Sequence, residues 1–270
     1  MNAILVLAAV ILAGQASGEF KAGTRAPIRP KYAAAYETRD MRDARKHAVE
    51  VILSEEPVDV AAAVADLQPH TNIINQPALM EHNYIVLVVR PDGDVSMNAT
   101  YSERMSQFVD MTGAMGSLKA ALSTNTPQRV AGRVFTPTPV KTDSESWTVD
   151  VQFATDVTPL PTGTALPAGG GEPGKAFKAL LAAKAKKNWE GIRTSVVKPF
   201  DDLDDALQTL DIWLPKKGVK VTGGELRGNI AILNVEGEVF EGQKGLFLVR
   251  MTKSGSRWLF DRAAQVGFVH

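Results

Sequence analysis

The chain contains no cysteine in its 270 residues. That absence rules out disulfide staples, thiolate metal sites and a cysteine nucleophile, and leaves stability to buried apolar surface. Net charge is missing as well, since 30 Lys plus Arg balance 30 Asp plus Glu. A broad nucleic-acid or anionic-membrane footprint needs clustered excess positive charge, so the balance argues against both partners. Histidine is scarce. The four, His47, His70, His82 and His270, show neither i, i+4 pairing nor a His-x-His arrangement, so zinc-ligand spacing is absent.

Other chemical signatures are lacking in the same way. There is no Gly-x-Ser-x-Gly elbow, and Gly169-Gly170-Gly171-Glu172-Pro173-Gly174 lacks the Lys-Ser/Thr end of a phosphate loop. Asp92-Gly93-Asp94, with Val95, Met97 and Tyr101 among the residues that follow, reads as a turn and not as a calcium loop. Asp201 to Asp205 complement the N-terminal end of a helix. No catalytic residue, metal or cofactor is therefore assigned.

Long apolar runs are also few. Ile4 to Leu12 is unbroken and apolar but shorter than the ~20 residues a membrane-spanning helix needs. Small and polar residues follow it in Gly14-Gln15-Ala16-Ser17-Gly18, the pattern of a secretory signal peptide. Residues 1–18 are expected to be such a signal, giving a periplasmic or secreted protein with no transmembrane segment after cleavage.

Residues 19–38, with Pro27 and Pro30 and no apolar period, read as an extended tether. Pro159 to Gly174 concentrates proline and glycine and reads as a linker between domains 39–158 and 175–270. Met41, Ala44, Ala48, Val51 and Ile52 recur at spacings of three and four with Asp40 as N-cap, and Pro57 opens a second helix through Leu67. Thereafter the period becomes two. Tyr84 to Val89 is a buried strand, Pro91 to Asp94 a turn, and Val95 to Tyr101 the hairpin partner. Alternation returns at Leu118 to Leu122, Val130 to Val134 and Trp147 to Phe153. Ser102 to Thr112 fits no period. The expected fold class is α+β: an N-terminal helical pair plus an antiparallel β-sandwich-like domain, then helices over Lys175–Trp189 and Asp201–Leu214 ahead of four strands between Val219 and Phe268.

The closing strands Leu246 to Met251 and the run Lys253-Ser254-Gly255-Ser256-Arg257-Trp258-Leu259-Phe260 resemble the nuclear-transport-factor-two-like superfamily, most closely small exported bacterial members with a K-x-G turn and a W-x-[FVI] strand. The resemblance covers Gly174 to Phe268 and implies a C-terminal α+β cone, helices packed on a bent antiparallel sheet. That fold hosts isomerases, dehydratases and non-catalytic binding modules alike, so it does not choose a function. The acid-base set an isomerase would need is not carried over, since this half has no Tyr and only His270.

Two groups of residues remain as candidate ligand contacts. Glu236, Arg250 and Asp261 can line a polar pocket in the second domain, or form an ordinary cross-strand charge pair. Arg129, Arg133 and Asp150 can form a ladder on the wet face of the first sheet, as a ligand surface or as a solvated face. The sequence supports an exported non-catalytic binding or adaptor protein of the bacterial cell envelope, with an envelope protein or small molecule as partner. The alternatives are a hydrolase or isomerase with Glu236 or Asp261 as base, and a structural envelope spacer.

Overall fold

The structure is a computed structural model that describes residues 14–102, 106–110, 117–141 and 145–270. The apolar run Ile4–Leu12 lies outside the described residues, and Ser102–Thr112 is described only at Ser102 and over 106–110. The described residues are 52 % strand and 19 % helix. The α+β class is therefore overturned, both in its helical pair and in its cone of helices packed on a sheet.

The helical pair fails for a local reason. Its first segment is instead β3 (Asp43–Ser54), whose residues from Ala48 onward are all buried. Val49, Val51 and Leu53 enter the main core of the first sheet, while Ala48, Glu50 and Ile52 are buried on the opposite face. Burial on both faces erases the period of two, and the surviving apolar positions mimic helical spacing. β-branched Val49, Val51 and Ile52 favour the strand. Asp40 keeps its hydrogen-bonding role in another setting. Its Oδ1 accepts from the Arg42 N–H at 3.0 Å, closing the turn between β2 (Tyr32–Asp40) and β3. A helix cap and an Asx turn use the same carboxylate geometry. Where the second helix was expected, only the 3₁₀ turn Ala63–Ala65 forms, followed by the short helices α1 (Pro69–Ile74) and α2 (Pro77–Met80).

The first sheet holds ten strands among the described residues. β1 (Gly14–Ala22) pairs with β10 (Ser146–Thr158) from Gln15–Ala154 to Ala22–Trp147. The stretch read as a tether thus contains strands, and Phe20 is fully buried. The hairpin of β4 (Tyr84–Val89) and β5 (Val95–Tyr101) is present, with β6 (Ser106–Asp110) beside β5. β7 (Lys119–Asn125) and β8 (Arg129–Phe135) continue from β10, and β9 (Val140–Lys141) pairs with β10 at one end.

The second sheet runs in the order β11 (Thr164–Leu166), β12 (Lys217–Arg227), β13 (Ile230–Phe240), β14 (Gln243–Ser254) and β15 (Arg257–Val269). β11 lies inside the Pro/Gly-rich stretch 159–174 and pairs with β12. Side chains of α3 (Gly171–Ala185), α4 (Trp189–Arg193) and α5 (Leu203–Trp213), among them Phe177, Ile192 and Leu210, join a core with Leu233, Val249 and Phe260.

The chain divides into two compact units that interleave in sequence. The first comprises the described residues up to Glu37, Val49–Val60 and Ile73–Thr158; the second comprises Thr38–Ala48, Ala61–Asn72 and Pro159–His270. Within the second unit, the two early segments lie against the sheet. Leu67 packs with Ile232, Ala264, Ile230 and Leu248, and Ala44 packs with Leu246, Val269 and Val266. A Cβ on Gly267 would stand 3.0 Å from both Met41 Cα and Ala44 Cβ, so the early segment approaches the strand to backbone distance. The Phe268 N–H donates to the Met41 carbonyl at 3.0 Å.

Leu67 is 5 % exposed in this arrangement. Leu67→Ala is expected to cost about 2–5 kcal/mol in urea unfolding, the range for a buried leucine whose cavity does not collapse. A loss within about 0.5 kcal/mol, typical of a surface site, would show that the Ala61–Asn72 segment does not support the second sheet.

Candidate functional site

A groove of about 560 Å³ opens in the second unit. One wall is the first half of α3, with Glu172, Lys175, Ala176 and Ala179; the others are Thr194 and Ser195 and the β14–β15 turn with Lys253, Arg257 and Trp258. Its size falls within the roughly 300–1,000 Å³ of small-ligand sites. The turn is tight because Gly255 adopts φ +60°, a left-handed conformation natural to glycine. Lys253 stands opposite Trp258 in the ladder, with its Nζ 5.9 Å from the centre of the indole ring. Lys175 pairs with Glu172 at 2.7 Å. Lys253 and Arg257 have no carboxylate partner among the described residues, so the groove carries surplus positive charge. The Ser195 and Thr194 hydroxyls donate to the Gly191 and Glu190 carbonyls at 2.6 and 2.7 Å, which orients their lone pairs. A second recess, of about 90 Å³ beside Gly93 and Leu118, holds no more than a few waters.

The residues singled out in the sequence lie elsewhere, in ion pairs. Arg250 and Asp261 come together at 3.0 Å, an ion pair whose angle falls short of a hydrogen bond. A bulge makes this possible. The register jumps from Arg250–Arg262 to Met251–Phe260, leaving Asp261 as the extra residue of β15. Glu236 is not part of that pair. It accepts from Arg45 at 3.0 Å, while the same guanidinium donates to the His270 carbonyl at 3.0 Å. Nearby, Asp66 pairs with Arg262 at 2.9 Å. Burial pushes the Asp66 carboxyl up, but the hydrogen bond from Asn72, the Arg262 charge and the Leu67 and Gln68 N–H groups outweigh it and hold it below the usual range.

The ladder of the first sheet is present on β8 and β10. Arg133 forks onto Asp150 at 2.7 and 2.6 Å and lies over the Phe135 ring, 4.5 Å from its centre. Arg129 meets Asp156 at 2.6 Å. The hydrogen bond from Arg133 lowers the Asp150 carboxyl. These exposed charges satisfy each other, as a solvated sheet face does.

Reading the sequence missed Lys175, Lys253, Arg257 and Trp258 as one cluster. The signal was present in Lys253-Ser254-Gly255-Ser256-Arg257-Trp258, a tight turn flanked by cations and closed by an indole, but it was read only as a sheet-closing motif. It also missed a buried pair in the first unit. The Tyr36 hydroxyl donates to Glu50 Oε1 at 2.6 Å, with Tyr36 fully buried and Glu50 7 % exposed. Burial, and then the Glu50 carboxylate beside it, push the Tyr36 phenol far above its ordinary value.

A raised phenol pKa means that the folded state keeps a proton the unfolded state loses. Stability from this group is complete below the unfolded pKa of about 10 and falls as pH rises above it, by about 1.4 kcal/mol per pH unit. Tyr36→Phe is expected to remove that share of the alkaline slope in urea midpoints measured between pH 9 and about 11. At neutral pH it should cost about 1–3 kcal/mol, because a buried carboxylate loses a donor. An unchanged alkaline slope would contradict the assignment.

Comparison of the chain with protein-family models, with curated proteins and with solved structures gives no match.

Proposed function

We propose that the chain is an exported, non-catalytic binding protein of the bacterial cell envelope that holds an anionic ligand in the groove of its second unit. One observation carries the reading: Lys253 and Arg257 bring positive charge to an open recess beside Trp258, whereas Glu236, Arg250, Asp261, Arg129, Arg133 and Asp150 are engaged in ion pairs. Charge held in a recess without a counter-charge attracts ligands of opposite sign, and the low-dielectric walls focus its field. Glu236 and Asp261, named as bases in the hydrolase alternative, each lie against an arginine.

Citrate is a suitable first probe because it is compact and polyanionic. In titrations of the ¹⁵N-labelled chain it is expected to shift the amides of Lys253, Arg257 and Trp258 saturably. Lys253→Gln combined with Arg257→Gln should weaken that response about tenfold or more, a loss of ~1.4 kcal/mol. Shifts spread over the whole surface, or unaffected by the double substitution, would remove the groove as the site.

Export rests on the signal-like first residues, and β1 sharpens what processing must leave behind. Phe20 and Ala22 are fully buried, so a mature chain has to retain them. Gly14-Gln15-Ala16 supplies small residues at alternate positions ahead of Ser17. Mass spectrometry of the envelope fraction is expected to find the mature N-terminus between Ser17 and Glu19. An intact Met1, or a terminus beyond Phe20, would contradict export by cleavage of this segment.

A further inference from the structure

We infer that the groove takes an extended acidic peptide, which adds as a strand to the free edge of β15 at Trp258; this rests on the reading of the groove as a binding site and names its occupant. The direction of the backbone carries the inference. The Lys253 N–H donates to the Asn229 carbonyl at 2.8 Å, toward the β13 side of β14. Lys253 and Trp258 are opposite each other. In an antiparallel ladder, a residue whose main chain points away from its neighbour marks a non-hydrogen-bonded pair, so the Trp258 N–H and C=O also point away from β14.

The next residue of the same parity tests that geometry. The Phe260 N–H donates to the Ser195 carbonyl at 2.8 Å, and the Phe260 carbonyl accepts from the Val197 N–H at 2.8 Å. Ser195–Val197 thus forms a short parallel bridge on the outer edge of β15. Beyond Ser195 that cover ends, and the groove begins beside Arg257, Trp258 and Leu259. Trp258 therefore presents one main-chain donor and one acceptor to the recess, along the line that Ser195–Val197 already follows. An extended peptide satisfies both, as in strand addition generally.

Charge selects which peptide. Successive side chains of an added strand point to opposite faces. Lys253 lies on the Trp258 face of the ladder, and Arg257, the residue before Trp258, points to the other. Adjacent acidic residues would meet one cation on each face. A second β15 edge would instead bring its own Lys253 and Arg257 against the same pair.

The probe is an N-acetylated, C-amidated pentaglutamate, compared with its glutamine counterpart, with a version methylated on every amide nitrogen, and with citrate. On the full chain, pentaglutamate is expected to shift the Trp258 amide and slow its hydrogen exchange. Glutamine replacement and N-methylation should each weaken binding at least tenfold. Lys253→Glu with Arg257→Glu should abolish binding while leaving the urea midpoint unchanged. Equal binding of the methylated peptide, or equal protection of the Trp258 amide by citrate, would overturn strand addition and leave a simple anion site. A groove unmoved by the peptides and by citrate would overturn both this inference and the binding reading beneath it.

Discussion

The second unit depends on the cover that Thr38–Ala48 and Ala61–Asn72 give to one face of its sheet. Ile232, Leu246, Leu248 and Ala264 on that face are supplied by the C-terminal part of the chain, and their apolar partners Leu67 and Ala44 come from much earlier. The contact is close enough to require glycine at 267, where a Cβ would crowd Met41 and Ala44. Two arginine pairs, Arg45–Glu236 and Arg262–Asp66, hold the cover at its polar margins. A sheet covered in this way is buried on both faces, as Val235 on one side and Leu246 on the other testify.

The same cover explains which elements were legible in the sequence. The β4–β5 hairpin could be read because Pro91 to Asp94 is turn chemistry between two short apolar runs. The strands β13 to β15 were legible through the glycine turns at Gly242 and Ser254-Gly255, whereas Gly223-Gly224, which reads as a turn, lies inside β12 beside a register shift, and the turn into β13 falls at Gly228. β3 was not, since Ala48 to Ser54 is buried throughout and shows no alternation. β2 was hidden differently: its inward residues Ala33 and Ala35 are too small to register as an apolar stripe. The interleaving of the two units was beyond local reading, because it rests on contacts such as Arg45 with Glu236, 191 positions apart.

Legibility of the candidate residues follows the same division. Arg133 and Asp150 could be placed on one wet face from strand parity alone, because their strands are neighbours and regular. Arg250 and Asp261 could be placed near each other but not on one face, since that depends on a bulge which reverses parity at Asp261. Lys175 joins Lys253 and Arg257 only through the placement of α3, which no spacing in the sequence encodes.

Sheet edges expose unpaired main-chain groups, and proteins protect them by shortness, by cover or by charge. The second sheet uses all three. β11 is a short edge of three residues, Ser195–Val197 covers β15 at Phe260, and Lys253 and Arg257 flank the uncovered part at Trp258. Charge differs from the other two devices because it discriminates among partners. It repels a like-charged edge, including that of a second copy, and attracts an acidic strand to the same main-chain donor and acceptor. A guard against self-association and a site for an acidic peptide therefore require the same two side chains, and their separation from Glu172, which is occupied by Lys175, leaves both charges available.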